Sequence, residues 1–172
     1  ETDRRRGPGH FQRVLRAMRY LKEAGVIFGF SATQTRENHA VITSEAFVDF
    51  LIDQGCQLGC YFMYVPVGRD PNVQLMPRPE QRDELRAWIA RVRATRPLLV
   101  ADFWNDGPVV GGCISGGRKY FHINAQGDVE PCVFCHFALH NVKDTPLQVA
   151  LNSPLFQAIR QEQPFHENLL RP

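Results

Sequence analysis

No stretch of this sequence stays apolar for the roughly 18 residues that a helix needs to cross a bilayer, so no membrane-spanning helix is expected. A signal-peptide core is also missing from the start, and the expected compartment is the cytoplasm. Neither sign of charge dominates. The formal net charge is +2, and apart from Arg4-Arg5-Arg6 the basic residues are dispersed. So small and scattered a charge carries no signature of nucleic acid, and neither nucleic acid nor a membrane is expected as a partner. There is no initiating Met and no closing signal: the chain runs from Glu1 to Leu169-Leu170-Arg171-Pro172 and reads as an internal piece of something longer. No repeat is visible beyond an alternation of strands and helices. Cysteine is scarce and odd in number, at five. Without a secretory signal, reduced thiols or metal ligands are expected rather than a disulfide framework.

What is present is an ordinary globular composition, 44% hydrophobic and 22% charged over 172 residues, enough for a real core. His10 to Ala24 reads as an amphipathic helix, with Phe11, Val14, Leu15, Met18 and Leu21 on one stripe expected to pack in the core. Val26 to Thr33 is nearly continuous in apolar residues and reads as a buried strand. Thr43 is placed to cap a helix over Ser44 to Gln54. Leu58 to Val67 is a second strand, Pro79 opens a helix that runs to about Arg96, and Leu98 to Phe103 is a third strand. Buried strands alternating with helices argue for a parallel α/β sheet.

Such a sheet presents ligand groups at the carboxyl ends of its strands. Those ends are Ser31-Ala32-Thr33 running on to Asn38, Tyr64 to Arg69, and Asp102 to Asp106. After Phe103 the pattern changes. Trp104 to Gly117 is glycine-rich loop, and a boundary is expected between Asp106 and Gly112, separating a domain of residues 1–105 from a module of residues 106–172. Short helices are expected at Leu147 to Leu151 and Pro154 to Gln161.

The module holds Cys113, Cys132 and Cys135, and also His122, His136 and His140. Lys119 to Asn124 alternates like a strand, Ala125 to Asp128 turns, and Val129-Glu130-Pro131 leads back. A hairpin of this kind brings Cys113 and Cys132 together. Four readings stand side by side: an iron–sulfur site on the three thiolates, a structural zinc using the same thiolates with His136 or His140, a c-type haem on Cys132-Val133-Phe134-Cys135-His136, and buried cysteines acting as small hydrophobes. Cys60 lies in an apolar strand and Cys56 just after the helix-ending Gly55, and both are read as structural.

The order Cys113, thirteen residues, Gly127, four residues, Cys132 resembles the C-terminal extension, of SPASM or twitch type, found in radical S-adenosylmethionine enzymes. Asp3 to Gly7 with Gly9 and Phe11 resembles the loop after the third barrel strand of that family, and Phe28 to Asn38 its fourth strand. The resemblance implies a partial (β/α) barrel fragment of about three βα units, followed by a small β-hairpin plus short-helix cysteine module. It implies a parent oxidoreductase or maturase that reductively cleaves S-adenosylmethionine to a 5′-deoxyadenosyl radical for hydrogen abstraction. Ser31, Thr33 and Asn38 are then the candidates for binding S-adenosylmethionine. Cys113, Cys132 and Cys135 are the ligands of an auxiliary [4Fe–4S] cluster whose fourth ligand is unseen. An electron donor such as flavodoxin or ferredoxin is expected, with a peptide or a small molecule as substrate.

The defining C-x-x-x-C-x-x-C loop is not in these residues, so the radical-generating cluster lies outside them and the chain alone is expected to be inactive. Its half barrel is expected to leave a strand edge open and to self-associate. The alternative is a non-catalytic binding module stabilised by zinc or an iron–sulfur cluster.

Overall fold

The computed structural model describes residues 2–68 and 70–161. The chain forms two compact units that divide between Asn105 and Asp106.

In the first unit, a short helix α1 (Thr2–Arg6) precedes α2 (His10–Glu23), β1 (Gly29–Gln34), α3 (His39–Ile42), α4 (Glu45–Gln54), β2 (Leu58–Met63), α5 (Pro79–Thr95) and β3 (Leu99–Asp102). The strands form one sheet in the order β1-β2-β3, and both pairings are parallel. This is a mixed α/β architecture in which each crossover carries a helix.

Residue alternation sorts the sheet into two faces. Phe30, Ala32, Tyr61 and Val100 pack with Val48 and Leu51 of α4 and with Leu85, Trp88, Ile89 and Val92 of α5. Tyr61 anchors this core: its side chain is fully buried and its hydroxyl donates to the Ile42 carbonyl at 3.0 Å. Burial pushes the Tyr61 phenol up to about 12. Two glycines let β1 and β2 approach. A Cβ on Gly59 would sit 2.5 Å from the Phe30 ring, and one on Gly29 would sit 2.3 Å from the Leu58 carbonyl oxygen. On the opposite face the register aligns Ser31, Cys60 and Ala101, and Leu99 there is 72% exposed.

Several expectations are corrected. The first strand begins at Gly29, not Val26, because Val26 and Ile27 precede it and are exposed. The second ends at Met63, where Tyr64 still donates its N–H to the Gln34 carbonyl before the chain turns away. The capping residue of α4 is Ser44, whose Oγ accepts from Phe47 N–H at 3.3 Å; the Thr43 hydroxyl donates instead to the His39 carbonyl, closing α3. That helix, His39–Ile42, lies between the expected first strand and the expected helix over Ser44 to Gln54, in a stretch for which no helix was expected. The apolar stripe of α2 supplies no buried residue. Met18 touches the core and Phe11 stacks on Phe50 at 6.4 Å, so the helix lies on the rim of the core.

The second unit contains α6 (Gly107–Val110), β4 (His122–Ile123), β5 (Val129–Glu130), α7 (Leu147–Leu151) and α8 (Pro154–Gln161). β4 and β5 pair antiparallel. Val129, Ala150 and Phe156 form a small core, with Phe121, Leu151 and Leu155 against it.

Candidate metal centre

The hairpin is held by two asparagines. Asn124 Oδ1 accepts from the backbone N–H groups of Gln126 and Asp128, and its Nδ2 donates to Asp128 Oδ2 and Glu130 Oε1. Asn141 Nδ2 donates to the Gln126 carbonyl at 3.1 Å and to Asp128 Oδ1 at 2.9 Å. These amide donors hold the Asp128 carboxyl below its ordinary value, Asn124 contributing most. Between them Gly127 has φ +97°, a conformation side chains rarely adopt. A Cβ there would also sit 2.7 Å from Asn141 Oδ1.

Backbone bonds then fix the segment that carries Cys113 beside the returning strand. Gly116 N–H donates to the Pro131 carbonyl at 3.0 Å. Lys119 and Tyr120 N–H both donate to the Ile114 carbonyl, and Arg118 donates to the Cys113 carbonyl. The C-x-x-C pair closes on itself, with Cys135 N–H donating to the Cys132 carbonyl at 2.9 Å.

One of the three thiols is held by a tyrosine hydroxyl. Tyr120 Oη lies 2.7 Å from Cys132 Sγ. Burial raises the Tyr120 phenol strongly, helped by the hydrogen bond to Cys132 and by the negative charges of Cys132, Cys113 and Cys135. Cys113 is exposed, while Cys132 and Cys135 are half-buried. Cys113 Sγ contacts Ser115 Oγ at 3.1 Å. Burial raises the Cys135 thiol, opposed by the Phe137 N–H and reinforced by Cys132 and Glu130.

Glu130 is 4% exposed, and its Oε2 is buried without a hydrogen-bond partner. His136 Nδ1 lies 3.6 Å from that oxygen and His122 Nε2 lies 3.9 Å from it. Among the described residues, no three His, Cys, Asp or Glu side chains are gathered into a ready-made site for a metal ion. Cys113, Cys132 and Cys135 are free cysteines and supply the sulfur donors of this unit. An all-thiol donor set of this kind suits iron–sulfur chemistry.

The sequence singled out the cysteines and the turn, but it missed Tyr120 and Glu130. Tyr120 was hidden in the alternation of Lys119 to Asn124. The one available signal for Glu130 was an acidic residue on a short apolar return strand, next to Pro131 and Cys132.

In the first unit, Ser31 and Thr33 share the sheet face opposite the helices, and Ser31 is exposed. Asn38 is set differently. It is 8% exposed, its Oδ1 accepts from Thr35 N–H at 2.7 Å, and its Nδ2 donates to the Thr33 carbonyl at 2.9 Å. It fastens the loop that follows β1. At the third strand end, buried Asp102 accepts from the Trp104 and Asn105 N–H groups and from Asn105 Nδ2. The expected strand-end residue Arg69 lies outside the described residues.

Residues 113–169 match the SPASM family, described as an iron–sulfur cluster-binding domain. The AdoMet-dependent heme synthase of Nitratidesulfovibrio vulgaris is 25% identical to this chain over 188 residues, covering 92% of the chain and 49% of that protein. Its counterpart from Oleidesulfovibrio alaskensis is 24% identical, covering 80% of the chain and 41% of that protein. The chain thus spans about half the length of the curated relatives it matches or less. Among solved structures, Streptococcus suis SuiB superposes with a TM-score of 0.63 at 18% identity, over 87% of this chain and 40% of SuiB. SuiB bound to S-adenosylmethionine superposes at 0.60, again at 18% identity, over 87% of this chain and 39% of that one. The solved structures share the mixed α/β fold with its parallel sheet, and residues 113–169 match the SPASM family, so the chain is similar to radical S-adenosylmethionine proteins that carry a SPASM-type extension.

Proposed function

We propose that this chain is part of a radical S-adenosylmethionine enzyme, comprising βα units of its partial barrel and an auxiliary cluster module. In the parent enzyme, one-electron reductive cleavage of S-adenosylmethionine supplies a 5′-deoxyadenosyl radical for hydrogen abstraction. The observation that carries the reading is the set of three free cysteines, Cys113, Cys132 and Cys135, within the span that matches an iron–sulfur domain.

Each set of residues has its own task. Asn124 and Asn141 fix the hairpin, and the Gly116 N–H bond to the Pro131 carbonyl keeps the segments that carry Cys113 and Cys132 adjacent. The Cys135 N–H bond to Cys132 sets the spacing of the pair. The three thiolates hold a [4Fe–4S] cluster, whose chemistry is one-electron transfer at a potential tuned by its surroundings. Ser31 and Thr33, on the uncovered sheet face, are placed to meet S-adenosylmethionine, while Asn38 shapes the loop beside them. A flavodoxin- or ferredoxin-type protein supplies electrons, and the substrate is a peptide or a small molecule. The 172 residues alone hold no C-x-x-x-C-x-x-C loop, and on this reading they are inactive in isolation.

Metal analysis of the full-length protein after anaerobic purification tests this. Iron and acid-labile sulfide, reduced in the Cys132→Ala variant, are the expected result. Stoichiometric zinc at these cysteines, without visible absorption, overturns the reading.

A further inference from the structure

We propose that Tyr120 is a positioning residue for electron transfer, the outer-sphere hydrogen-bond donor that sets the reduction potential of the cluster on Cys113, Cys132 and Cys135. This rests on the iron–sulfur reading above.

The Tyr120 hydroxyl lies 2.7 Å from Cys132 Sγ. In the free thiol either atom can donate. A cysteine bound to iron is a thiolate with no proton to give, so Tyr120 O–H becomes the donor and the bond is charge-assisted. The hydroxyl is held where it is needed. Tyr120 N–H donates to the Ile114 carbonyl at 3.2 Å, and the Tyr120 carbonyl accepts from Gly117 N–H at 3.0 Å.

Other donors are weaker or act elsewhere. Phe134 N–H reaches Cys132 Sγ at 3.5 Å, and Ser115 Oγ stands 3.1 Å from Cys113 Sγ. Cys132 therefore receives the shortest of these contacts, and Tyr120 makes it. Hydrogen bonds to the sulfurs of a cluster withdraw electron density, which stabilises the more negative, reduced state and raises the potential. Ligand-ordering groups beyond the metal's own ligands are known to tune such centres strongly.

The test is a spectroscopically monitored redox titration of the full-length protein, following the cluster signal that Cys132→Ala removes. In Tyr120→Phe the potential shifts to a more negative value while iron and sulfide content stay unchanged. Replacing Tyr120 with 3-fluorotyrosine, a stronger donor of the same shape, shifts it to a more positive value. An unchanged potential in both, with a full cluster, overturns the proposal and leaves the cluster reading intact. Loss of the cluster in both variants also overturns it, since Tyr120 would then hold the site rather than tune it. A wild-type protein free of iron overturns the proposal and the cluster reading together.

Discussion

The Gly127→Ala variant isolates what the cysteine hairpin depends on. Two separate costs arise there. The first is backbone strain: holding alanine at φ +97° costs about 1–2 kcal/mol, the ordinary penalty for an L-residue with positive φ. The second is contact. The new methyl would lie 2.7 Å from Asn141 Oδ1, so the amide must swing away. It then loosens its bonds to the Gln126 carbonyl, Asp128 Oδ1 and Lys143 N–H, each worth about 0.5–1.5 kcal/mol net. Allowing for partial readjustment, the sum is roughly 2–4 kcal/mol. Native-state hydrogen exchange reads it locally, at Val142 N–H, which donates to the Gly127 carbonyl, and at Val129 N–H, which donates to the His140 carbonyl. Exchange at both should accelerate roughly 30- to 900-fold. A double-mutant cycle separates the costs. In an Asn141→Ala background the clash is gone, and Gly127→Ala should then cost only the strain. Strict additivity of the two substitutions, or an acceleration below about fivefold, refutes the reasoning.

Two further outcomes test other parts of the molecule. Tyr61→Phe removes the hydroxyl that donates to the Ile42 carbonyl inside the first core. It should destabilise that unit by about 1–3 kcal/mol, read from urea unfolding followed by Trp88 fluorescence. Asp128 has a folded carboxyl below its ordinary value of 3.8 because of Asn124 and then Asn141. Its contribution is therefore complete above pH 3.8 and is lost as pH falls through the folded value. Hairpin exchange rates in the wild type should rise in that acid window, and Asp128→Asn should flatten the dependence.

How far the fold could be read in advance varied from element to element. α5 was legible at both ends, because Pro79 sets its start and Leu85, Trp88, Ile89 and Val92 supply a periodic buried face. The strands were legible as strands but not in length. Apolar runs such as Val26 to Phe30 carry no mark at the point where ladder pairing begins, and that point is set by the partner Leu58. The α2 stripe has a helical period, yet period reports only that a face is apolar, not how deeply it is covered. Thr43 and Ser44 are chemically equivalent caps in sequence, and only the extended backbone of Ser44 separates them. At the site, the cysteines and Gly127 announced themselves by type and spacing. Tyr120 did not, because its role comes from where a hydroxyl falls after the loop from Ile114 to Gly117 has folded. Glu130 was invisible for a similar reason: burial of a carboxylate is a tertiary fact.

The sheet order β1-β2-β3 also bears on how the first unit assembles. Each strand of this sheet pairs with its neighbours in chain order, Gly29 opposite Leu58 and Leu58 opposite Leu99. Every ladder therefore closes across an intervening helix, and the entropy of that closure is lost before any pairing compensates it. Growth can proceed in the direction of synthesis, β2 templating on β1 and β3 on β2, with no strand waiting for a later one to be inserted between its neighbours. The β4–β5 hairpin has no such requirement. Its ends meet across a tight turn, on the timescale of local chain motion.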